Sequence, residues 1–161
     1  MENLKLTRVD FRLIHGQVMT RWAKKYDTKA VVVIDDRSAS NMLLKKILLG
    51  AAPAGINVWV ESVESAAAKW KDGQFPTESL IVLFKDTDTA LRAYQAGVTY
   101  PSLQIGGIEG SGDKKNVYKN VVMSDAEAAQ LKELGDAGVH VFFQPIPEDA
   151  EYSLEDALKK F

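Results

Sequence analysis

Short apolar runs alternate along this chain with amphipathic stretches, and the two patterns predict different elements. The runs AVVVI (30–34) and SLIVLF (79–84) are continuous apolar segments of strand length. Such runs are typical of strands that are covered on both faces. Further strands are predicted over 4–10, 56–60, 102–105, 117–123 and 139–143.

Between these runs, apolar residues spaced three and four apart predict helices. The first helix is predicted from Gly16 to Tyr26, where the apolar positions share one face: Val18, Met19, Trp22, Ala23 and Tyr26. Other helices are predicted over 43–51, 63–71 and 86–97, from the capping box SDAE (124–127), and from Ser153 to Phe161.

The alternation of strands and helices predicts an α/β fold. We expect a single doubly wound domain over residues 1–161, with a mostly parallel central sheet and helices on both faces. In such sheets, functional groups gather beyond the carboxyl ends of the strands. This rule singles out the loops at 10–16, 35–38, 61–62, 85–88, 106–113 and 144–149.

The first of these loops follows an unusually charged strand, within RVDFRLIHGQV (8–18). One interpretation is an edge strand whose alternating Arg8, Asp10 and Arg12 form a solvated, salt-bridged face. The other is the rim of a phosphate pocket, because guanidinium groups bind phosphate and Asp10 can hold an imidazole in one tautomer. His15 would then carry a phosphoryl group near a helix N-terminus, with Gly16 leaving room beside the ring. The residues alone leave both interpretations open.

Composition narrows the possible functions. The net charge of -2 gives no overall basic field for nucleic acid, and the absence of cysteine excludes disulfides and thiol chemistry. No apolar run has the length of a membrane span, and the N-terminus has no signal-peptide pattern. We expect a cytoplasmic protein. We also expect no metal or cofactor, because the two histidines belong to no evident ligand set.

The charged motif resembles the active-site signature of the IIB subunits of the mannose/fructose/sorbose family of the bacterial sugar phosphotransferase system. The matching positions run from Arg8 through Asp10, Arg12 and His15 to Val18. The segments TRWAKK (20–25), VLFKD (82–86) and LQIGGI (103–108) resemble further family landmarks in the same order. The resemblance therefore covers essentially the whole chain.

The resemblance implies a phosphoryl carrier. His15 would accept a phosphoryl group from a phosphohistidine of a IIA partner, on the ring nitrogen nearer the backbone. It would pass the group to a sugar that enters through the membrane subunits IIC and IID, so the protein would work at the inner face of the membrane. Five residues are expected to stabilise the phosphoryl group: Arg8, Asp10, Arg12, Gly16 and Gln17. Four more are candidates for the rim of the active site: Asp35, Lys85, Gly106 and Gly107.

Two alternatives belong to other classes of protein. Asp35 and Asp36 after one strand, with Lys85 after another, are also compatible with a receiver-like signalling domain that is phosphorylated on aspartate. Such a domain needs magnesium and forms an acid-stable, base-labile acyl phosphate, whereas phosphohistidine is acid-labile. A simple interaction module would not be phosphorylated at all.

Overall fold

A computed structural model describes residues 2–16 and 18–161, and its centre is a seven-stranded sheet. The strands run in the order β3-β2-β4-β1-β5-β8-β9, and all are parallel except β9, which pairs antiparallel with β8. A separate hairpin is formed by β6 and β7. The strands are β1 Leu4–Asp10, β2 Ala30–Ile34, β3 Asn57–Glu61, β4 Leu80–Phe84, β5 Ser102–Gly107, β6 Lys115–Tyr118, β7 Val121–Met123, β8 His140–Phe143 and β9 Tyr152–Ser153.

Helices cover both faces of this sheet. A π-helical turn at Val18–Trp22 leads into α1, Ala23–Lys25. The other helices are α2 Asp36–Ser40, α3 Met42–Ala51, α4 Val63–Lys71, α5 Thr87–Gln95, α6 Asp125–Asp136 and α7 Leu154–Leu158. No helix in the described part of the chain is long and apolar enough to cross a membrane.

Two apolar layers hold these helices on the sheet. In one, Trp22 of the π-helical turn and Leu48 of α3 pack against residues of β2 and β4 such as Val33. In the other, residues of α4 to α7, such as Ala66 and Leu131, pack on the opposite face. The fold prediction of a mostly parallel α/β sheet covered on both faces is therefore confirmed.

The strand order places a crevice at the end of β1. This strand lies between β4 and β5, and the chain leaves it for the face that carries α1 and α3. The connections that follow β4 and β5 go to the other face, where α5 and α6 lie. Neighbouring strands whose connections separate in this way leave an open crevice at their carboxyl ends, which is the usual ligand site of such sheets.

Several predicted elements need correction. The single strand predicted over 117–123 is a hairpin, because the chain turns at Lys119, whose φ is 54°. Within the helix predicted from 16 to 26, Val18–Trp22 is π-helical and Ala23–Lys25 is α-helical, since an apolar pattern of about two turns does not distinguish π from α winding. The capping box at Ser124–Glu127 is present as predicted, whereas α2 and β9 were not predicted.

Candidate functional site

The charged end of β1 is buried in the middle of the sheet. Arg8 and Asp10 have no exposed side-chain surface, and β1 pairs with a strand on each side. The interpretation of this segment as a solvated edge strand is therefore wrong. Buried charges are tolerated only where they satisfy one another, and here the Arg8 guanidinium lies 3.3 Å from the Asp10 carboxylate.

Asp10 is the centre of the site, because its two carboxylate oxygens bind three different residues. One oxygen, Oδ1, accepts hydrogen bonds from the backbone N–H of Arg12 at 3.1 Å and from its Nε at 3.3 Å. The other, Oδ2, lies 3.3 Å from a guanidinium nitrogen of Arg8 and 3.0 Å from Nε2 of His15. A single carboxylate thus fixes Arg12 and His15 relative to the sheet.

Burial by itself would raise the pKa of Asp10, but its partners outweigh that effect. The hydrogen bond from His15 and the positive charge of Arg8 hold the pKa below its usual range. Asp10 is therefore ionised at neutral pH and can only accept hydrogen bonds. It follows that Nε2 of His15 carries the proton that is donated to Asp10.

This depressed pKa predicts a pH dependence of stability. An ionised Asp10 stabilises the folded state at pH values above its usual pKa of about 4, and that contribution disappears as the pH falls through the lower folded-state value. We expect the difference in free energy of unfolding between the wild type and Asp10→Asn to shrink as the pH falls below about 4. Urea unfolding at several pH values measures it. Asp72→Asn, at the exposed end of α4, is the control, and an equal pH trend in both variants would contradict the prediction.

A tight turn carries the chain from Asp10 to His15. The Leu13 N–H donates to the Asp10 carbonyl at 2.9 Å, and Leu13 has a φ of 56°, which is unusual for a residue with a branched side chain. Its buried side chain offsets this strain by packing in the same apolar layer as Trp22. The turn is held from two sides, because the Phe11 N–H donates to Gly107 and Lys85 donates to the Phe11 carbonyl.

His15 is held at one nitrogen and open at the other. Nε2 is bound to Asp10, and Nδ1 makes no hydrogen bond to any residue that the structure describes. The side chain is 16% exposed, so the ring is accessible from solvent. Gly16 follows it, and a Cβ at that position would have no neighbour within 4 Å. Space for a group larger than the ring is therefore present beside His15.

Arg12 is the exposed cation of the site. Its side chain is 47% exposed, and only Nε is bound to Asp10, so the two terminal guanidinium nitrogens make no hydrogen bond to a described residue. Arg12 lies between two depressions. A cavity of about 180 Å³ reaches towards α3, and a groove of about 360 Å³ reaches towards Lys119 and the loop after β8. The free end of Arg12 is thus available to an anionic group in the crevice.

Arg8 is enclosed within the protein, whereas a contact with the phosphoryl group was expected for it. Its guanidinium donates to the side chain of Gln104 and to the carbonyl oxygens of Gln144 and Pro145 at 3.0 and 2.9 Å. Burial lowers its pKa to about 10, although the neighbouring Asp10 works in the opposite direction. Because Arg8 is fully enclosed, it cannot reach a phosphoryl group on His15, and it acts by holding Asp10.

Two buried glutamines were missed from the sequence. Gln104 donates from Nε2 to the Gln144 side chain at 3.1 Å, and Gln144 donates onward to the Asp149 carbonyl at 3.0 Å. They connect Arg8 with the loop at 145–149. A signal was present, since Gln104 interrupts the apolar run SLQI and Gln144 directly follows VHVFF. A buried polar side chain in such a position requires a polar partner.

Gly106 and Gly107 support the site through contact with β1. A Cβ on Gly106 would lie 2.0 Å from the guanidinium carbon of Arg8, so only glycine leaves room for that side chain. A Cβ on Gly107 would lie 3.4 Å from Asp10 Oδ1. Both glycines are buried, although Gly106 also lines the groove beside Arg12.

The remaining predicted rim residues have structural partners. Asp35 lines the same cavity as Arg12, but its carboxylate caps α2 by accepting from the Ser38 N–H at 3.1 Å. Asp36 binds the Val63 N–H and Arg92, and Lys85 binds the Phe11 carbonyl. The two carboxylates and the lysine that the receiver-like alternative requires therefore already bind other groups of the protein.

Some predicted positions lie outside or away from the site. Gln17 is outside the described residues. His140 is on β8, exposed, and 3.6 Å from Glu151. No group of three or more histidine, cysteine or acidic residues in positions 2–16 and 18–161 has the arrangement of a metal site.

Comparison with protein families adds independent evidence. Residues 4–161 match the family described as PTS system sorbose subfamily IIB component, in which PTS denotes the phosphotransferase system. A relative from Bacillus subtilis (strain 168), the PTS system fructose-specific EIIB component, is 26% identical over 99% of this chain and 98% of its own. The mannose-specific EIIAB component of Escherichia coli (strain K12) is 27% identical over 96% of this chain. That match covers 48% of the Escherichia coli protein.

A solved structure shows the same architecture. The crystal structure of the IIB domain of the sorbose permease from Klebsiella pneumoniae aligns with this chain with a TM-score of 0.89. The two chains are 29% identical, and the alignment covers 98% of this chain and 96% of the other. The similarity therefore extends over every element of the sheet.

Proposed function

Because this chain belongs to the sorbose-subfamily IIB components of the bacterial phosphotransferase system, which act in phosphoryl transfer during sugar uptake, we propose that its phosphoryl carrier is Nδ1 of His15. The observation that carries the proposal is the hydrogen bond between Nε2 and the buried Asp10. It fixes the tautomer, since the proton is on Nε2 and the lone pair is on Nδ1. The free nitrogen of this partly exposed ring is then the nucleophile.

The donor in this proposal is a phosphohistidine on a IIA partner. The N–P bond of the donor breaks as the bond from Nδ1 to phosphorus forms, so no proton has to move in this step. The phosphorylated ring retains the proton on Nε2 and therefore carries a positive charge, which the Asp10 carboxylate stabilises at 3.0 Å. In the second step a sugar hydroxyl attacks phosphorus, releases its proton and returns His15 to its starting state.

The partners follow from the family. The matched mannose protein of Escherichia coli is named as an EIIAB component, which supports a IIA protein as the phosphoryl donor. We place the IIC and IID membrane subunits at the receiving end, with this chain in the cytoplasm at the inner membrane face. The names of the relatives include fructose, mannose and sorbose, and we assign the choice among such sugars to the membrane subunits.

The proposal is tested by the chemistry of the phosphorylated protein. The chain is incubated with labelled phosphoenolpyruvate, the general phosphocarrier proteins and a IIA protein, and the product is divided between acid and base. We expect label that is lost in acid and retained in base, and nitrogen–phosphorus couplings in the NMR spectrum that assign it to Nδ1. Label that resists acid and is lost in base would point instead to an acyl phosphate on aspartate.

Arg12 is expected to stabilise the transferring group. Its free guanidinium end can bind two equatorial oxygens at once, and removing one such donor costs about 10²- to 10³-fold in rate. We predict a loss of that size in the single-turnover rate of phosphoryl transfer for Arg12→Gln, and a smaller loss for Arg12→Lys, which keeps the charge. The thermal midpoint should change little because the side chain is half exposed. Equal rates for wild type and Arg12→Gln would remove Arg12 from the mechanism.

A further inference from the structure

The outward face of α3 is unusually apolar. Among the described residues, all but one of the large hydrophobic side chains that are exposed lie on this ten-residue helix. Their exposure ranges from 45% to 76%, and they are Met42, Leu43, Ile47 and Leu49. The inward side of the helix places Leu48 in the apolar layer beneath it. The exposed side therefore has no partner among the described residues, which is a common property of binding surfaces.

The charged residues within the segment that carries this face have one sign, although Asp36 and Glu61 line a depression beside Lys45. No aspartate or glutamate occurs from Arg37 to Val60, and the charged residues in that segment are Arg37, Lys45 and Lys46. The π-helical turn and α1, on the same side of the sheet, also contain no acidic residue. Each of the helices α4 to α7, on the opposite side, contains at least one. The helix α3 and the segment around it are thus basic and apolar, although the net charge of the chain is -2.

This face is continuous with the candidate site. Ile47 and Leu48 of α3 line the cavity of about 180 Å³ that Arg12 also lines. Arg37 and Lys85 line the same cavity together with Asp35, so three cations, including Arg12, and one carboxylate connect α3 with the crevice. A planar surface that contacts α3 would therefore lie beside the crevice that contains His15.

We propose that the outward face of α3 contacts the anionic lipid surface of the membrane, an inference that rests on the proposed function for its orientation. Long apolar side chains interspersed with lysine, without acidic residues, suit a helix that lies in the interface of a bilayer. A protein partner fits less well, because protein interfaces are enriched in aromatic residues, methionine and arginine and depleted in lysine. The exposed face of α3 has one methionine, two lysines and no aromatic residue. Such contact would bring His15 to the sugar site of the membrane subunits.

The proposal is tested by flotation of the full chain with lipid vesicles. One set contains phosphatidylcholine alone, and the other contains three parts of phosphatidylcholine to one of phosphatidylglycerol. We expect the protein to float with the anionic vesicles at low salt, and the binding to weaken as salt is added because exposed charges are screened. Absence of binding to anionic vesicles at low salt would overturn the proposal.

Matched variants separate the contributions of the helix from the effect of net charge. Lys45→Gln/Lys46→Gln is expected to reduce binding roughly 10- to 30-fold, since each cation near an anionic surface contributes on the order of fivefold. Met42→Gln/Leu43→Gln should also reduce it while leaving the charge unchanged. The control Lys71→Gln/Lys132→Gln removes two exposed lysines from α4 and α6 and should bind as the wild type does. An equal loss in this control would show that only net charge matters and would overturn the proposal.

The experiment also separates this proposal from the function of His15. Binding of His15→Ala to anionic vesicles should equal that of the wild type, so vesicle contact and phosphoryl transfer can fail independently. If Met42→Gln/Leu43→Gln keeps its vesicle binding but accepts the phosphoryl group from a soluble IIA protein much more slowly, the face binds a protein instead. That outcome would replace lipid with the IIA partner as the occupant of α3.

Discussion

His15→Ala is expected to abolish phosphoryl acceptance, with a loss on the order of 10³-fold or more in the single-turnover rate. The proposed mechanism has no second nucleophile near Asp10, and removing the ring removes the atom on which the phosphoryl group is carried. The measurement is transfer of labelled phosphate from the IIA donor, followed by rapid quenching in alkali.

His140 provides a matched control for that experiment. It is the other histidine of the chain, it is exposed on β8, and it has no contact with Asp10. His140→Ala should therefore accept phosphate at the wild-type rate. If His15→Ala retains label and His140→Ala loses it, or if both retain it, the carrier is another residue and the proposed role of His15 is excluded.

Gly106→Ala is expected to lower the free energy of unfolding by about 3 kcal/mol or more. The added Cβ would lie 2.0 Å from the guanidinium carbon of Arg8, which is far inside van der Waals contact. Arg8 has no alternative position, because Asp10, Gln104 and the carbonyl oxygens of the loop after β8 bind it on several sides. The substitution therefore either distorts β5 or separates a buried ion pair. Urea unfolding at neutral pH measures the effect.

Gly112→Ala is the appropriate control for Gly106→Ala. Gly112 lies in the exposed loop after β5, where an added Cβ has no neighbour within 4 Å, so its effect should stay within about 0.5 kcal/mol. The folded fraction of Gly106→Ala should also accept phosphate more slowly, since a displaced Arg8 no longer fixes Asp10. A loss of less than 1 kcal/mol would mean that Arg8 has room to move, contrary to the contacts described.

The sequence predicts the fold well where the signal is local. Apolar runs identified β2 and β4, β1 has the bounds predicted for it, and the helix at 63–71 has the bounds that its strong helix formers indicated. The capping box before α6 was readable because its two partners are three residues apart. The bend within the predicted strand 117–123 was not readable, because a non-glycine residue with positive φ, Lys119, has no distinctive local signal.

The interior of the site depends on contacts between distant segments, which a single sequence does not reveal. Arg8 and Gln104 are 96 residues apart, and Arg8 and Gln144 are 136 apart, yet these pairs decide that Arg8 is enclosed. The alternation of Arg8, Asp10 and Arg12 was compatible with an exposed face until the position of β1 in the sheet was known. The requirement for glycine at 106 likewise comes from the position of Arg8.

The central position of β1 has a consequence for when the protein becomes competent during its synthesis. His15 leaves the ribosome well before the pairing partners of β1 on β4 and β5, which follow at Leu80 and Gln104, and Gln144 comes later still. A nascent chain therefore contains His15 long before it contains the groups that hold Arg8 and Asp10. If His15 is the proposed carrier, phosphoryl acceptance should begin only after Gln144 has been translated.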